Sequence, residues 1–287
     1  MGNIFGIFKK PDKIGLSGVV SYTVLINPEN NKFTVLLGDI HDGVTYCDAN
    51  KYNNIFIHEL LDEISKNKYF LTFLEEVPRD NKIKLVELWP NAKHTQELKK
   101  LFLNNQERII PIDPRPYLVP FSYQKYDMNI LEDEERNMLM KDYLKTFDIL
   151  FMLNDTPLDN SIIFFKNILD SLSHKSPQKG ILKMYKLLKE KYMVLKKDIN
   201  INDTFEKTIK ENKYFFIMLE ELKMNVMDWY TVLLLMNNNN NIIHFGLAHY
   251  LNVRNVLEKR FNFKVIHKKG LETLNNEFPI NSCLTIP

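Results

Sequence analysis

The run Phe33-Thr34-Val35-Leu36-Leu37-Gly38-Asp39-Ile40-His41 decides how the rest of the chain is read. Its first five residues are apolar almost throughout, as in a strand buried on both faces of a sheet. At Gly38 the apolar run stops and polar groups begin. Glycines at 38 and 43 leave the backbone free to turn sharply there. Upstream, Val19 to Ile26 is a second strand-like run. Asn27-Pro28-Glu29-Asn30-Asn31 between the two is turn chemistry, which predicts a hairpin.

Downstream, strand and helix patterns alternate. Asn54 to Lys66 carries Ile55, Ile57, Leu60, Leu61 and Ile64 at near-helical spacing. Tyr69 to Leu74 reads as a strand ending at Glu75-Glu76, and Ile83 to Leu88 as a shorter one. A helix is expected over Thr95 to Leu103. A strand from Arg108 to Ile112 is closed by Asp113-Pro114-Arg115-Pro116, where the prolines stop regular structure. From about Glu132 the character becomes helical: Arg136 to Met152, Ser161 to Leu172, Gly180 to Lys197 and Phe205 to Leu222 show helical periodicity. The lysines of Gly180 to Lys197 read as a solvated face. The Asn237 to Asn241 run reads as a solvated loop. The strand Ile242 to Phe245, the helix Tyr250 to Arg260 and the strand Lys264 to His267 complete the chain.

The expected fold is therefore α/β: a parallel or mixed central sheet flanked by helices, with a large helical insertion before the last strands. The expected divisions are an N-terminal α/β half over 1–131, a helical insertion or cap over 132–236, and a strand-helix-strand over 237–287 that completes the sheet.

Composition narrows the function classes. With 45% hydrophobic and 26% charged residues, the chain can bury a core of ordinary size. A net charge of +2 demands no polyanionic partner, so no nucleic acid is expected. Cys47 and Cys283 lack C-x-x-C spacing and read as two unpaired thiols in a reducing compartment. No apolar stretch is long enough to span a bilayer. The start, MGNIFGIFKK, has no signal-peptide core. Gly2 is a potential myristoylation site, but Gly6 stands where Ser or Thr is preferred, so a plain start is expected. These readings place the chain in a cytoplasm. The Asn/Lys/Ile bias points to an AT-rich genome, whether of a protist, a low-GC bacterium or a large DNA virus; for a virus the location would be the host cytoplasm or the virion.

Ligands of α/β sheets gather where loops leave the carboxyl ends of strands. Four such ends carry groups able to bind metal or move protons: Asp39 and His41, Glu75 and Glu76, Asp113 and Arg115, and His249. Two of them share an apolar strand followed by G-x-x-H, at Gly38 to His41 and Gly246 to His249. There an imidazole would project over the sheet edge toward a carboxylate or a divalent ion. Asp113 and Arg115 read equally well as a structural ion pair. His244 reads as a core or edge histidine, and His58, His94, His174 and His267 have no partner visible in the sequence.

These motifs, in this order, resemble the erythromycin esterase/ChaN-like superfamily, which includes the TraB/Tiki proteins. Val35 to His41, Phe73-Leu74-Glu75, Ile112 to Arg115 and Ile243 to His249 carry the resemblance, which spans about Lys32 to His267. Asp39 departs from the family, which often has Glu there, and its carboxylate reaches one methylene less far. The resemblance implies a hydrolase of small-molecule esters or peptides. In it Asp39, His41, Glu75 and His249 form the polar centre or bind a divalent metal, and Glu75 or His41 serves as general base. Arg115 would orient an anionic group or stabilise an oxyanion. Two other readings stand beside it. One is a non-catalytic structural or interaction protein on a retired hydrolase fold. The other is a metallophosphoesterase, suggested by Gly38-Asp39-Ile40-His41 but lacking that family's later blocks.

Overall fold

The strand-like runs pair into two sheets in the computed structural model, which describes residues 14–40, 46–48, 51–76, 93–121, 131–151, 179–237, 239–274 and 283–286. The expected elements at 83–88 and 161–172, and His41, His174 and Gly2, lie outside these residues. The strands are β1 Ile14–Ser17, β2 Ser21–Ile26, β3 Phe33–Asp39, β4 Asn53–Phe56, β5 Phe70–Leu74, β6 Ile109–Pro111, β7 Asn240–Gly246, β8 Lys264–Gly270 and β9 Cys283–Ile286. Six of them form one sheet in the order β6-β5-β7-β3-β2-β8. β6, β5, β7 and β3 are mutually parallel, and β2 and β8 add antiparallel strands. The fold is a mixed α/β sheet flanked by helices, with the helical insertion ahead of the final strands.

The chain divides into two units. Met1–Glu76, Leu85–Pro111 and Asn238–Pro287 make the first; Val77–Lys84 and Ile112–Asn237 make the second. In the first unit the strands' alternation sends side chains to two layers. Val35, Leu37, Leu74 and Ile242 join Leu61, Leu98, Leu101 and Phe102 in one core, beneath the helices Ile57–Ser65 and Lys93–Asn104. The helix Leu247–Phe261 packs on the opposite face, where Tyr250 lies over Gly38.

The β2–β3 hairpin forms as expected. Asn27 donates its N–H to the Lys32 carbonyl, and Asn31 takes a φ of 57°, which asparagine tolerates better than most residues. Residues 54–66 are not one helix: the first of them belong to β4, pairing in parallel with β1, and the helix begins at Ile57. The helix expected over 136–152 is broken into Asp133–Asn137, Met140–Tyr143 and Lys145–Leu150. That expected over 205–222 is interrupted at Asn212, whose side chain caps a second helix, Lys213–Leu235. The solvated loop expected at 237–241 is corrected in its last two residues. Asn240 and Asn241 begin β7, where the Asn240 side chain accepts the Phe33 N–H (3.0 Å) and the Asn241 amide faces Thr34 Oγ1 (3.4 Å). A buried amide with such partners costs little to bury.

The expected free thiols are also corrected: Cys47 and Cys283 form a disulfide. Both meet at Ser17. Cys283 is its register partner across β1 and β9, and the Cys47 N–H donates to Ser17 Oγ (2.9 Å). A separation of 236 residues hid the pair from any spacing rule. Cysteine usage therefore gives no ground for a reducing compartment. No described helix is long and apolar enough to cross a membrane.

Candidate functional site

Strand alternation sorts the predicted site residues onto two faces of the sheet. Leu37 and Leu74 both pair in register with His244, and Asp39 pairs with Gly246. Residues two apart on a strand share a face, so Asp39 and His244 point toward the helix Lys93–Asn104. Glu75, one residue beyond Leu74, points to the other face, toward the start of the helix Leu247–Phe261. The expected convergence of Asp39 with Glu75 and His249 is thus replaced by two separate clusters.

Asp39 organises the first cluster. Its Oδ2 lies 3.0 Å from His94 Nε2 and 3.6 Å from His244 Nε2. All three residues are buried, at 2%, 2% and 3% exposure. With Asp39 ionised, His94 Nε2–H is the donor, and the neutral ring then carries a bare lone pair on Nδ1. That atom is buried and has no hydrogen-bond partner among the described residues. Thr95 Oγ1 is 3.4 Å from the same Nε2. Burial raises the pKa of the neighbouring Tyr46 hydroxyl, while a backbone hydrogen bond from His94 pulls it back.

Glu75 organises the second cluster. Its N–H donates to the His244 carbonyl (3.0 Å), extending the β5–β7 ladder by one residue. Its Oε2 accepts the Gly246 N–H at 2.5 Å, and its Oε1 lies 4.0 Å from His249 Nε2. Gly246 is the N-cap of the helix Leu247–Phe261, a helix with no acidic residue of its own in the first turn. The Glu75 carboxylate fills that place and meets the positive end of the helix dipole. At 10% side-chain exposure Glu75 keeps some access to solvent, whereas His249 at 3% has almost none.

Gly38 has a different role from the sharp turn expected of it. It lies inside β3, and a Cβ there would stand 2.9 Å from Tyr250 Cγ, so the missing side chain makes room for the ring. The Tyr250 hydroxyl in turn meets Thr23 Oγ1 (2.5 Å).

Asp113 and Arg115 belong to the second unit and grip one another. Arg115 Nε and Nη2 donate to the two carboxylate oxygens (2.7 and 2.9 Å), and the Arg115 N–H adds a third bond to Oδ1 (3.0 Å). A bidentate fork of this kind holds the Pro-rich segment in shape. His41 lies outside the described residues. Among the described residues no group of three or more His, Cys, Asp or Glu side chains is arranged to hold a metal ion. The described residues of the proposed ligand set, Asp39, Glu75 and His249, do not fit one together.

His94 and His244 are the cluster members that sequence reading passed over. His244 carried a usable signal, since it sits two residues before Gly246 on a strand whose end was already singled out. His94 carried none, because only the packing of its helix against β3 brings it to Asp39. Comparison of the chain with family models, curated proteins and solved structures found no match.

Proposed function

We propose that the chain is a hydrolase of the erythromycin esterase/ChaN-like type, acting on an ester or peptide carbonyl. The observation that carries the reading is the Glu75–His249 pair, held by a helix N-terminus at the carboxyl ends of the parallel strands. Glu75, the more exposed partner, takes the proton from an attacking water. Glu75 then returns that proton to the leaving group, and the buried His249, 4.0 Å from Oε1, positions the carboxylate. Asp39, with His94 and His244, fixes the end of β3 from the opposite face and is a positioning cluster. Arg115 takes no part, its guanidinium being held by Asp113.

The test is a panel of activated esters and short peptides offered to the native protein, Glu75→Gln and His249→Ala, with circular dichroism as the fold check. Turnover by the native chain that falls by about 100-fold or more in both folded variants supports the reading. Elemental analysis of the same preparations, with His41→Ala added, tests the metal that the resemblance implies.

The burial of Asp39, His94, His244 and His249 favours a second reading, a non-catalytic interaction protein whose polar residues are closed off from any substrate. Absence of turnover on every substrate by a folded native chain would select it.

A further inference from the structure

β8 ends the six-stranded sheet. One of its edges pairs with β2, and among the described residues no strand lies along the other. All seven of its residues are exposed, including Val265 at 37% and Ile266 at 48%. Such an edge offers unpaired backbone N–H and C=O groups to any extended chain of matching chemistry.

The charge around it is one-sided. Between residues 259 and 271 stand Lys259, Arg260, Lys264, Lys268 and Lys269, with His267 and without a single carboxylate, in a chain of net charge +2. The flanking acids are engaged: Glu258 with Arg254 (3.3 Å), and Glu272 with Arg254 (2.8 Å) and Lys268 (3.4 Å). Lys268 nevertheless remains 52% exposed.

We propose that the outer edge of β8 docks an extended, acidic segment of a partner protein by strand addition. Backbone bonds continue the ladder, carboxylates on both faces of the segment meet Lys264 and Lys268, which the bulge between Val265 and His267 leaves on opposite faces, and its apolar side chains cover Val265 and Ile266. The charge disfavours a second copy of this chain as occupant. Antiparallel pairing of two β8 strands would crowd three lysines and a histidine from each into one ribbon, and like charges across strands destabilise. Nucleic acid fits less well. The aromatic ring at this edge, His267, is already stacked on Tyr22 (5.3 Å between centroids) and bonded to its hydroxyl (2.9 Å). Exposed valine and isoleucine offer nothing to a phosphate.

The experiment measures fluorescence anisotropy of a labelled decapeptide of Glu, Val and Thr that carries Glu on both of its faces, titrated with the full chain. A peptide with Lys in place of Glu, an alternately N-methylated version and a 20-nucleotide single strand serve as comparisons. The expected result is binding of the acidic peptide that weakens as salt rises. Lys264→Glu/Lys268→Glu, both at exposed positions, should retain native thermal unfolding. It should weaken binding about tenfold, which is about 1.4 kcal/mol for the two ion pairs together. N-methylation should abolish binding, since it removes the ladder bonds. The proposal is overturned by no binding of the acidic peptide, or by equal binding of the lysine peptide. An affinity unmoved by charge reversal or N-methylation, capture of the oligonucleotide instead, or self-association through β8 would each overturn it as well.

Discussion

Replacing Gly38 by alanine sets two effects of known sign against each other. Alanine restricts the unfolded chain more than glycine and on that account stabilises by roughly 0.4–1 kcal/mol when the site has room. Here there is none: the new Cβ would lie 2.9 Å from Tyr250 Cγ, 3.0 Å from its Cβ and 3.3 Å from Cδ1. Comfortable carbon–carbon separations are about 3.5–4.0 Å, so the ring must retreat by about half an ångström or more. It has little freedom to do so, being buried and tied to Thr23 through its hydroxyl. Overpacking of this kind costs about 1–3 kcal/mol, which exceeds the entropic gain. Gly38→Ala should therefore lose about 1–2 kcal/mol, read as a lower urea midpoint at unchanged slope. In a Tyr250→Leu background the ring is gone, and the same substitution should become neutral or mildly stabilising. A coupling of about 1 kcal/mol or more between the two sites is the signature. If Gly38→Ala is harmless alone, or its cost adds unchanged to that of Tyr250→Leu, the packing argument for this glycine is wrong.

Cys283→Ser opens a bond that spans 236 residues, and such a loss should cost about 2–5 kcal/mol; thiol titration of the denatured, unreduced native protein should find no free cysteine. In the second unit, Asp148 accepts from Lys196 Nζ (2.6 and 2.8 Å) and from the Tyr192 hydroxyl (2.7 Å). Asp148→Ala strands both donors and should cost about 3 kcal/mol by chemical denaturation, near the low end for a buried pair because Lys196 keeps some access to water. The Tyr22 hydroxyl is pushed from 10.0 up to about 12, first by burial and then by the neighbouring Tyr250. The folded state thus holds this proton more tightly than the unfolded one. The contribution is whole below pH 10 and is lost as pH rises toward 12, so Tyr22→Phe should flatten the fall in stability across that window. An unchanged slope would remove Tyr22 from the account.

Much of the first unit was legible because the signals are local. A nearly unbroken apolar run marks β3 and the Asn-Pro-Glu-Asn-Asn turn sets its hairpin; in the second unit the Ile181, Leu188, Tyr192 and Leu195 stripe marks the helix Lys179–Lys197. Each is written in spacings shorter than a turn or a strand. What ended at strand tips was legible too, since composition changes abruptly at Gly38, Glu75 and Gly246. The face on which each tip lies was not. Alternation inverts every side chain with a shift of one residue, and the relative register of β3, β5 and β7 is fixed only when the strands pair. That register turns Asp39 toward the helix carrying His94 and turns Glu75 toward His249. Partners separated by tens to hundreds of residues, such as Asp39 with His94 or Cys47 with Cys283, meet through packing that no local pattern encodes. The sequence by itself determined the strands of the six-stranded sheet and where polar chemistry begins; tertiary structure alone decided the β4-β1-β9 pairing, the breaks in the helices and which of those polar groups touch.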